Sequence, residues 1–148
     1  MDIRKTELLD SVAFRGHPNV LATNRSTLEV TTEGFLTRRG DCIIGTSADR
    51  GCAGLSPGAR EWLSTEGSRA LLRVRVAGEA FELTAFGSGT LTHASPVSMV
   101  VRKSSYACPR TLAVRSSSAA CDLPRGMVEK LSGGCEGLIE IYAVPANV

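Results

Sequence analysis

Ser47-Ala48-Asp49-Arg50-Gly51-Cys52 and Ser116-Ser117-Ser118-Ala119-Ala120-Cys121 are the two stretches whose comparison decides the reading of this chain. With a one-residue gap at Gly54 the match continues. Leu55 falls with Leu123, Gly58 with Gly126, Glu61 with Glu129, Leu63 with Leu131 and Ser64 with Ser132. Upstream, Ala13-Phe14 answers Ala85-Phe86, and Gly16 answers Gly87 at a slightly different offset. The pattern predicts an internal duplication: two similar halves, approximately residues 8–78 and 79–144, related by a pseudo-two-fold axis. A half of about seventy residues buries little core alone, so the two are expected to share one core in a single domain spanning residues 1–148.

Working outward, each half reads as three strands, a helix and a strand. Leu8 to Phe14 opens the first half. Ser26 to Thr31 alternates polar and apolar residues with β-branching, as a half-buried strand does. Cys42-Ile43-Ile44-Gly45 is a short apolar run. Ser56 offers a helix cap with Pro57 at the first helical position. Leu72, Val74 and Val76 alternate with Arg73 and Arg75, and Ala77-Gly78 links them to a strand from Glu79 to Phe86. Met99 to Val101, Thr111 to Val114, a helix from Pro124 to Leu131 and a strand from Leu138 to Val144 complete the second half. The predicted fold class is α+β and β-rich, with two β-β-β-α-β halves forming one barrel-like core that removes sheet edges.

Composition narrows the function classes. The chain is 43% hydrophobic and 22% charged, which is ordinary for a folded domain. A net charge of +2 is too small to signal nucleic acid by bulk electrostatics, and aromatic content of 5% argues against a base-stacking surface. Arginine outnumbers lysine and glutamine is absent, which fits either a thermostable protein or GC-rich coding. Met1-Asp2-Ile3-Arg4-Lys5 leads into no apolar signal segment, and no apolar run is long enough to span a bilayer; a cytoplasmic location follows as the expectation. The Asn24-Arg25-Ser26 and Arg39-Gly40-Asp41 tripeptides are then chance matches to glycosylation and adhesion motifs. Five cysteines, Cys42, Cys52, Cys108, Cys121 and Cys135, contain no C-x-x-C pair, so buried thiols are favoured over a disulfide framework or a metal.

Three segments, GHPNVLATNRSTLEV (Gly16 to Val30), LTRRGDCIIGTSADRGCAGL (Leu36 to Leu55) and MVVRKSSYACPRTLAVRSSSAACDL (Met99 to Leu123), carry a family likeness. Together they resemble the archaeal domain of unknown function 371 family, over nearly the whole chain. The resemblance implies an archaeal cytosolic source and brings no activity or catalytic residue with it. Its usual pattern has a histidine after the Ala-Thr pair. Asn24 stands there in this chain, which counts against an essential histidine role at that position.

Four constellations carry chemistry, each beside an ordinary structural reading. Gly45 to Gly54 joins a strand to a helix, and Ser47, Asp49 and Arg50 there suit a phosphate or carboxylate held on backbone amides, although the segment lacks both the P-loop and the dinucleotide pattern. The alternative is a tight turn. His17 and His93 would need a carboxylate or thiol, such as Asp41, Asp49 or Cys108, to act as bases; surface or structural roles are favoured. Cys52 and Cys121 occupy matched positions and are expected to be buried, reduced and without metal. Arg38-Arg39, Arg102-Lys103 and Arg110 flank short strands and would form a basic patch if they converge. The leading expectation is a non-enzymatic binding protein for an anionic partner such as RNA, a nucleotide or a phosphorylated small molecule, with no cofactor. The anion-binding candidates are His17, Arg39, Asp41, Ser47, Asp49, Arg50, His93, Arg102, Lys103 and Arg110. The alternatives are a small enzyme using histidine–aspartate acid–base chemistry and a structural subunit of an archaeal complex; a homodimer stays open.

Overall fold

A computed structural model describes residues 6–146, so the reading of residues 1–5 lies outside the described part. Eight strands and two helices follow one another: β1 Glu7–Arg15, β2 Thr27–Thr31, β3 Ile43–Gly45, α1 Pro57–Leu63, β4 Arg69–Val76, β5 Glu79–Phe86, β6 Ser98–Arg102, β7 Thr111–Ala113, α2 Arg125–Ser132 and β8 Glu136–Val144. A short 3-10 turn precedes each helix, at Cys52–Gly54 and Ala120–Asp122. The fold is therefore mixed α+β and strand-rich.

The local signals work as their chemistry requires. Ser56 Oγ accepts the Ala59 amide at 3.1 Å and caps α1. Ala77 and Gly78 both have positive φ, 51° and 83°, as the primed two-residue turn of a hairpin demands. In β4, Leu72, Val74 and Val76 point inward. On the opposite face Arg73 pairs with Glu82 at 2.6 Å and Arg75 with Glu140 at 2.7 Å, so those arginines are committed to a ladder across the sheet.

The strands form two four-stranded sheets instead of the expected barrel. One is wholly antiparallel, in the order β1-β8-β4-β5. The other runs β3-β2-β6-β7, with β2 and β6 antiparallel and the outer pairs parallel. The sheets meet at two seams by single bridges, Arg15–Thr46 and Phe86–Val114. The seams stop there because β3 and β7 are only three residues long, and Ser47 and Arg115, both at φ 51°, turn the chain away. One apolar cluster fills the space between, drawing Phe14, Leu72 and Ile141 from the first sheet, Leu28, Ile44, Met99 and Leu112 from the second, and Leu63 and Leu131 from the helices.

Cys52 begins the first 3-10 turn and Ala120 the second, each five residues before its helix. Cys52 and Cys121 thus hold different positions in their turns, the first and the second. Cys52 is fully buried, whereas Cys121 is only half-buried, because the second position of the turn faces outward; both are free thiols.

Candidate functional site

Most backbone amides of the loop before α1 are already engaged within the protein. Ser47 N–H donates to Glu33, Ala48 to Thr31, Asp49 to Ala13, Ala53 to Ser95 and Gly54 to Gly51, all at 2.8–3.1 Å to backbone carbonyls. The Ser56 amide goes to Asp10 Oδ2 at 2.8 Å. Arg50 holds Asp10 with both terminal nitrogens, at 2.8 and 3.0 Å, and also donates to the Ser11 and Gly54 carbonyls. Arg50 thus fastens β1 to the start of α1. Ser47 and Asp49 stay exposed beside β1, with Asp49 Oδ1 3.6 Å from Arg50 Nε.

The histidines are likewise built into the fold. His93 is 1% exposed, and its Nε2 donates to the Leu112 carbonyl at 3.1 Å. Burial pushes its pKa below the usual value; the Leu112 bond opposes this, and Arg60 adds to the lowering. His17 Nδ1 accepts the Asn19 amide at 3.0 Å. Among the described residues neither ring hydrogen-bonds a carboxylate, so the acid–base pair does not assemble.

The arginine–lysine segments do meet, at the end of the second sheet where β2 begins and β6 ends. Thr27 lies opposite Arg102. The Lys103 amide donates to Ser26 at 3.0 Å, and the amides of Thr23 and Asn24 donate to the Asp41 carbonyl at 3.1 and 3.2 Å. These bonds bring Arg25, Asp41, Arg102 and Lys103 to one end; Arg38 and Arg39 lie just ahead of Asp41 on a loop whose Leu36 carbonyl accepts Asn19 Nδ2 at 2.8 Å. Asn24 organises the junction. Its Nδ2 donates to Asp41 Oδ1 at 3.1 Å, and its Oδ1 accepts the Ser26 and Thr27 amides. Among the described residues Arg25, Arg38 and Arg39 are exposed and make no ion pair, and Lys103 meets Asp122 only at 3.8 Å.

Further along the same face, Glu29 is almost fully buried, receives the Cys42 thiol at 3.5 Å and faces Arg110 at 4.0 Å. Arg110 is partly neutralised there. Arg102 is fixed from three sides. Its Nε donates to Thr111 Oγ1 at 2.9 Å, its Nη2 reaches Cys108 Sγ at 3.4 Å, and the guanidinium lies 4.9 Å above the Tyr106 ring. Burial alone would raise the Cys108 thiol, but the Thr111 hydroxyl, the Arg110 amide and Arg102 bring it down to about 7. Burial and then the Glu29 charge push Cys42 up to about 11, and burial carries Cys52 to about 12. Iodoacetamide should therefore alkylate Cys108 well before Cys42 or Cys52, at a rate that rises through neutral pH as the thiolate forms. Peptide mapping that finds Cys42 or Cys52 modified first would contradict this arrangement.

The sequence profile of a domain of unknown function, DUF371, matches residues 12–144. The chain belongs to this family. The uncharacterized protein MJ0206 of Methanocaldococcus jannaschii is 38% identical to it over 130 residues, covering 88% of this chain and 96% of the relative. Within this DUF371 chain, the basic end holds Asp41, Arg102 and Lys103 of the residues singled out from sequence, with Arg39 on the loop leading to Asp41 and Arg110 next to Thr111, which Arg102 contacts. Ser47, Asp49, Arg50, His17 and His93 fall elsewhere. Asn24 and Tyr106, which lie at this end, were not singled out for binding from the sequence, and Cys108 was raised there as a partner for a histidine base. The Asn24-Arg25-Ser26 pattern did carry a signal, because an asparagine two residues before a serine can accept its amide in an Asx turn. Among the described residues no group of three or more histidine, cysteine or acidic side chains is arranged to hold a metal ion, and no helix is long and apolar enough to cross a membrane.

Proposed function

We propose that this protein binds an anionic partner at the basic end of its second sheet. The observation that carries the reading is the convergence of Arg25 and Arg102-Lys103 at the joined ends of β2 and β6, tied by backbone hydrogen bonds, with Arg38-Arg39 on the loop leading to Asp41 and with Arg25, Arg38 and Arg39 unpaired among the described residues. Three exposed cations left without carboxylates gain most by neutralising phosphate or carboxylate groups. A binding role is preferred to an acid–base enzyme because each histidine is occupied by a backbone group.

The same reading treats the halves as copies related by a pseudo-two-fold axis. Support comes from paired features: Ser47 and Arg115 share φ 51°, Ala22 and His93 have φ 49° and 50°, and the two seam bridges follow β3 and β7 alike. On that view the basic end is where the copies differ most usefully, since Asp41 and Pro109 occupy matched places in the hydrogen-bonding pattern.

Titration with short inorganic polyphosphate tests the proposal. Affinity should fall steeply with added salt. Replacing Arg38, Arg39 and Lys103 with alanine should lessen the slope of log affinity on log salt by roughly 2, at about 0.7 per phosphate contact. Equal slopes for the native protein and the triple variant would move the site elsewhere.

A further inference from the structure

Low aromatic content argued against a base-stacking surface, but placement matters more than number. Trp62 and Phe81 pack against the core, Phe14 lies within it, Phe86 is covered by Arg69 and Arg115, and Tyr142 by Arg73. Two aromatic rings remain largely exposed, Phe35 at 67% and Tyr106 at 61%. Each belongs to a long loop that also carries the cations of the basic end: Phe35 with Arg38-Arg39 between β2 and β3, Tyr106 with Lys103 between β6 and β7. Tyr106 is the more organised of the two. Arg102 lies over one side of its ring, and Arg102 is itself anchored by Thr111 and Cys108. Its backbone is held as well, since Tyr106 N–H donates to Ser104 Oγ at 3.2 Å and its carbonyl accepts from Thr111 Oγ1 at 3.4 Å.

An exposed ring stacked by an arginine, on a loop that also carries Lys103 and joined through Ser26 to the unpaired Arg25, has the chemistry of a site for single-stranded nucleic acid. The cations follow the phosphates, and the ring offers a flat apolar surface to a base, with an arginine adding its own stacking plane. Neither a free phosphate nor a carboxylate metabolite would use the ring. We infer that the anionic partner is a single-stranded nucleic acid, with one base stacking on Tyr106 and the adjoining phosphates lying along Arg25, Arg38, Arg39 and Lys103. This rests on the anion-binding reading above and adds the stacking contact to it.

Fluorescence anisotropy with labelled oligouridylate and oligothymidylate, run beside short polyphosphate, separates the two ideas. The native protein should bind an oligonucleotide more tightly than polyphosphate of equal charge; the tighter oligonucleotide identifies RNA or DNA as the source. Tyr106→Ala should weaken oligonucleotide binding about tenfold, in the range of one stacked base, and leave polyphosphate binding unchanged. Tyr106→Phe, which keeps the ring, should bind as the native protein does. Because Tyr106 is exposed, the folded state should survive the change, and a retained melting temperature verifies it. If Tyr106→Ala binds oligonucleotide as tightly as the native protein, or weakens both probes equally, base stacking is overturned while anion binding stands. If the native protein binds none of the probes at low salt, both readings fall.

Discussion

Replacing Asp10 with alanine should lower the melting temperature by on the order of 10 °C, by removing a partner from a largely buried ion pair at about 3 kcal/mol. The Asp10 side chain is 13% exposed. Its carboxylate accepts both terminal nitrogens of Arg50, the Ser56 amide that starts α1 and the Ser11 amide. Deletion leaves the part-buried guanidinium with only the exposed Asp49 carboxylate, 3.6 Å from Nε, and frees the Ser56 amide at the helix junction. Differential scanning calorimetry gives the answer, and an unchanged melting temperature would show that solvent replaces these contacts without loss. Had Asp49 and Arg50 both been exposed, as an anion site in that loop requires, their removal would cost at most about 1 kcal/mol. Arg50 is costly because β1 folds back beside it, which no inspection of its own segment reveals.

The same carboxylate predicts a pH dependence. Burial raises the Asp10 pKa, but the bonds from Arg50, Ser56 and Ser11 outweigh it and hold the group below the usual carboxylate value. A depressed folded-state value means that the unfolded chain takes up the proton first. The stabilisation is therefore complete above the ordinary aspartate range and is lost as pH falls through the lower folded-state value. Asp10→Asn should lack that component, so the stability difference from the native protein should shrink in acid. A difference that stays constant down through that range would refute the assignment.

Phe14→Ala should destabilise the protein by about 3–5 kcal/mol, the range for removing a buried aromatic side chain. The Phe14 ring is 2% exposed and stands at the first seam, one residue before the Arg15–Thr46 bridge. It packs directly over Gly45 of β3 and Gly137 of β8, where any side chain would collide with the ring. One phenyl group thus fills the gap between the two sheets, and both glycines are required by its volume. Chemical denaturation should show a lower midpoint for Phe14→Ala, and a smaller loss for Phe14→Leu, which leaves less empty volume. Gly137→Ala should also destabilise, by about 1–3 kcal/mol through overpacking. Equal stability of Phe14→Ala and the native protein would mean that the sheets close onto the cavity without it.

Much of this molecule is determined by local sequence. The alternation of Leu72, Val74 and Val76 with Arg73 and Arg75 specifies an amphipathic strand, Ser56-Pro57 starts a helix, and Ala77-Gly78 makes a hairpin, because each depends on residues a few positions apart. The order of elements and the α+β, strand-rich character follow from such signals. The separation into two sheets does not, since it depends on how far β3 and β7 extend before Ser47 and Arg115 turn the chain, and on Phe14 filling the seam. The site divides in the same way. Arginine and lysine pairs at strand ends are plain in the sequence, but whether an arginine is free or engaged depends on a carboxylate from a distant strand. Asp10 lies 40 residues from Arg50 and takes it out of the ligand-binding set. Asn24 and Asp41 meet across 17 residues and bring Arg25 to the Arg38-Arg39 loop. Charge, periodicity and capping belong to the sequence because they act over one or two turns of chain; the availability of a cation or a ring to a partner is decided by long-range packing, which tertiary structure alone supplies.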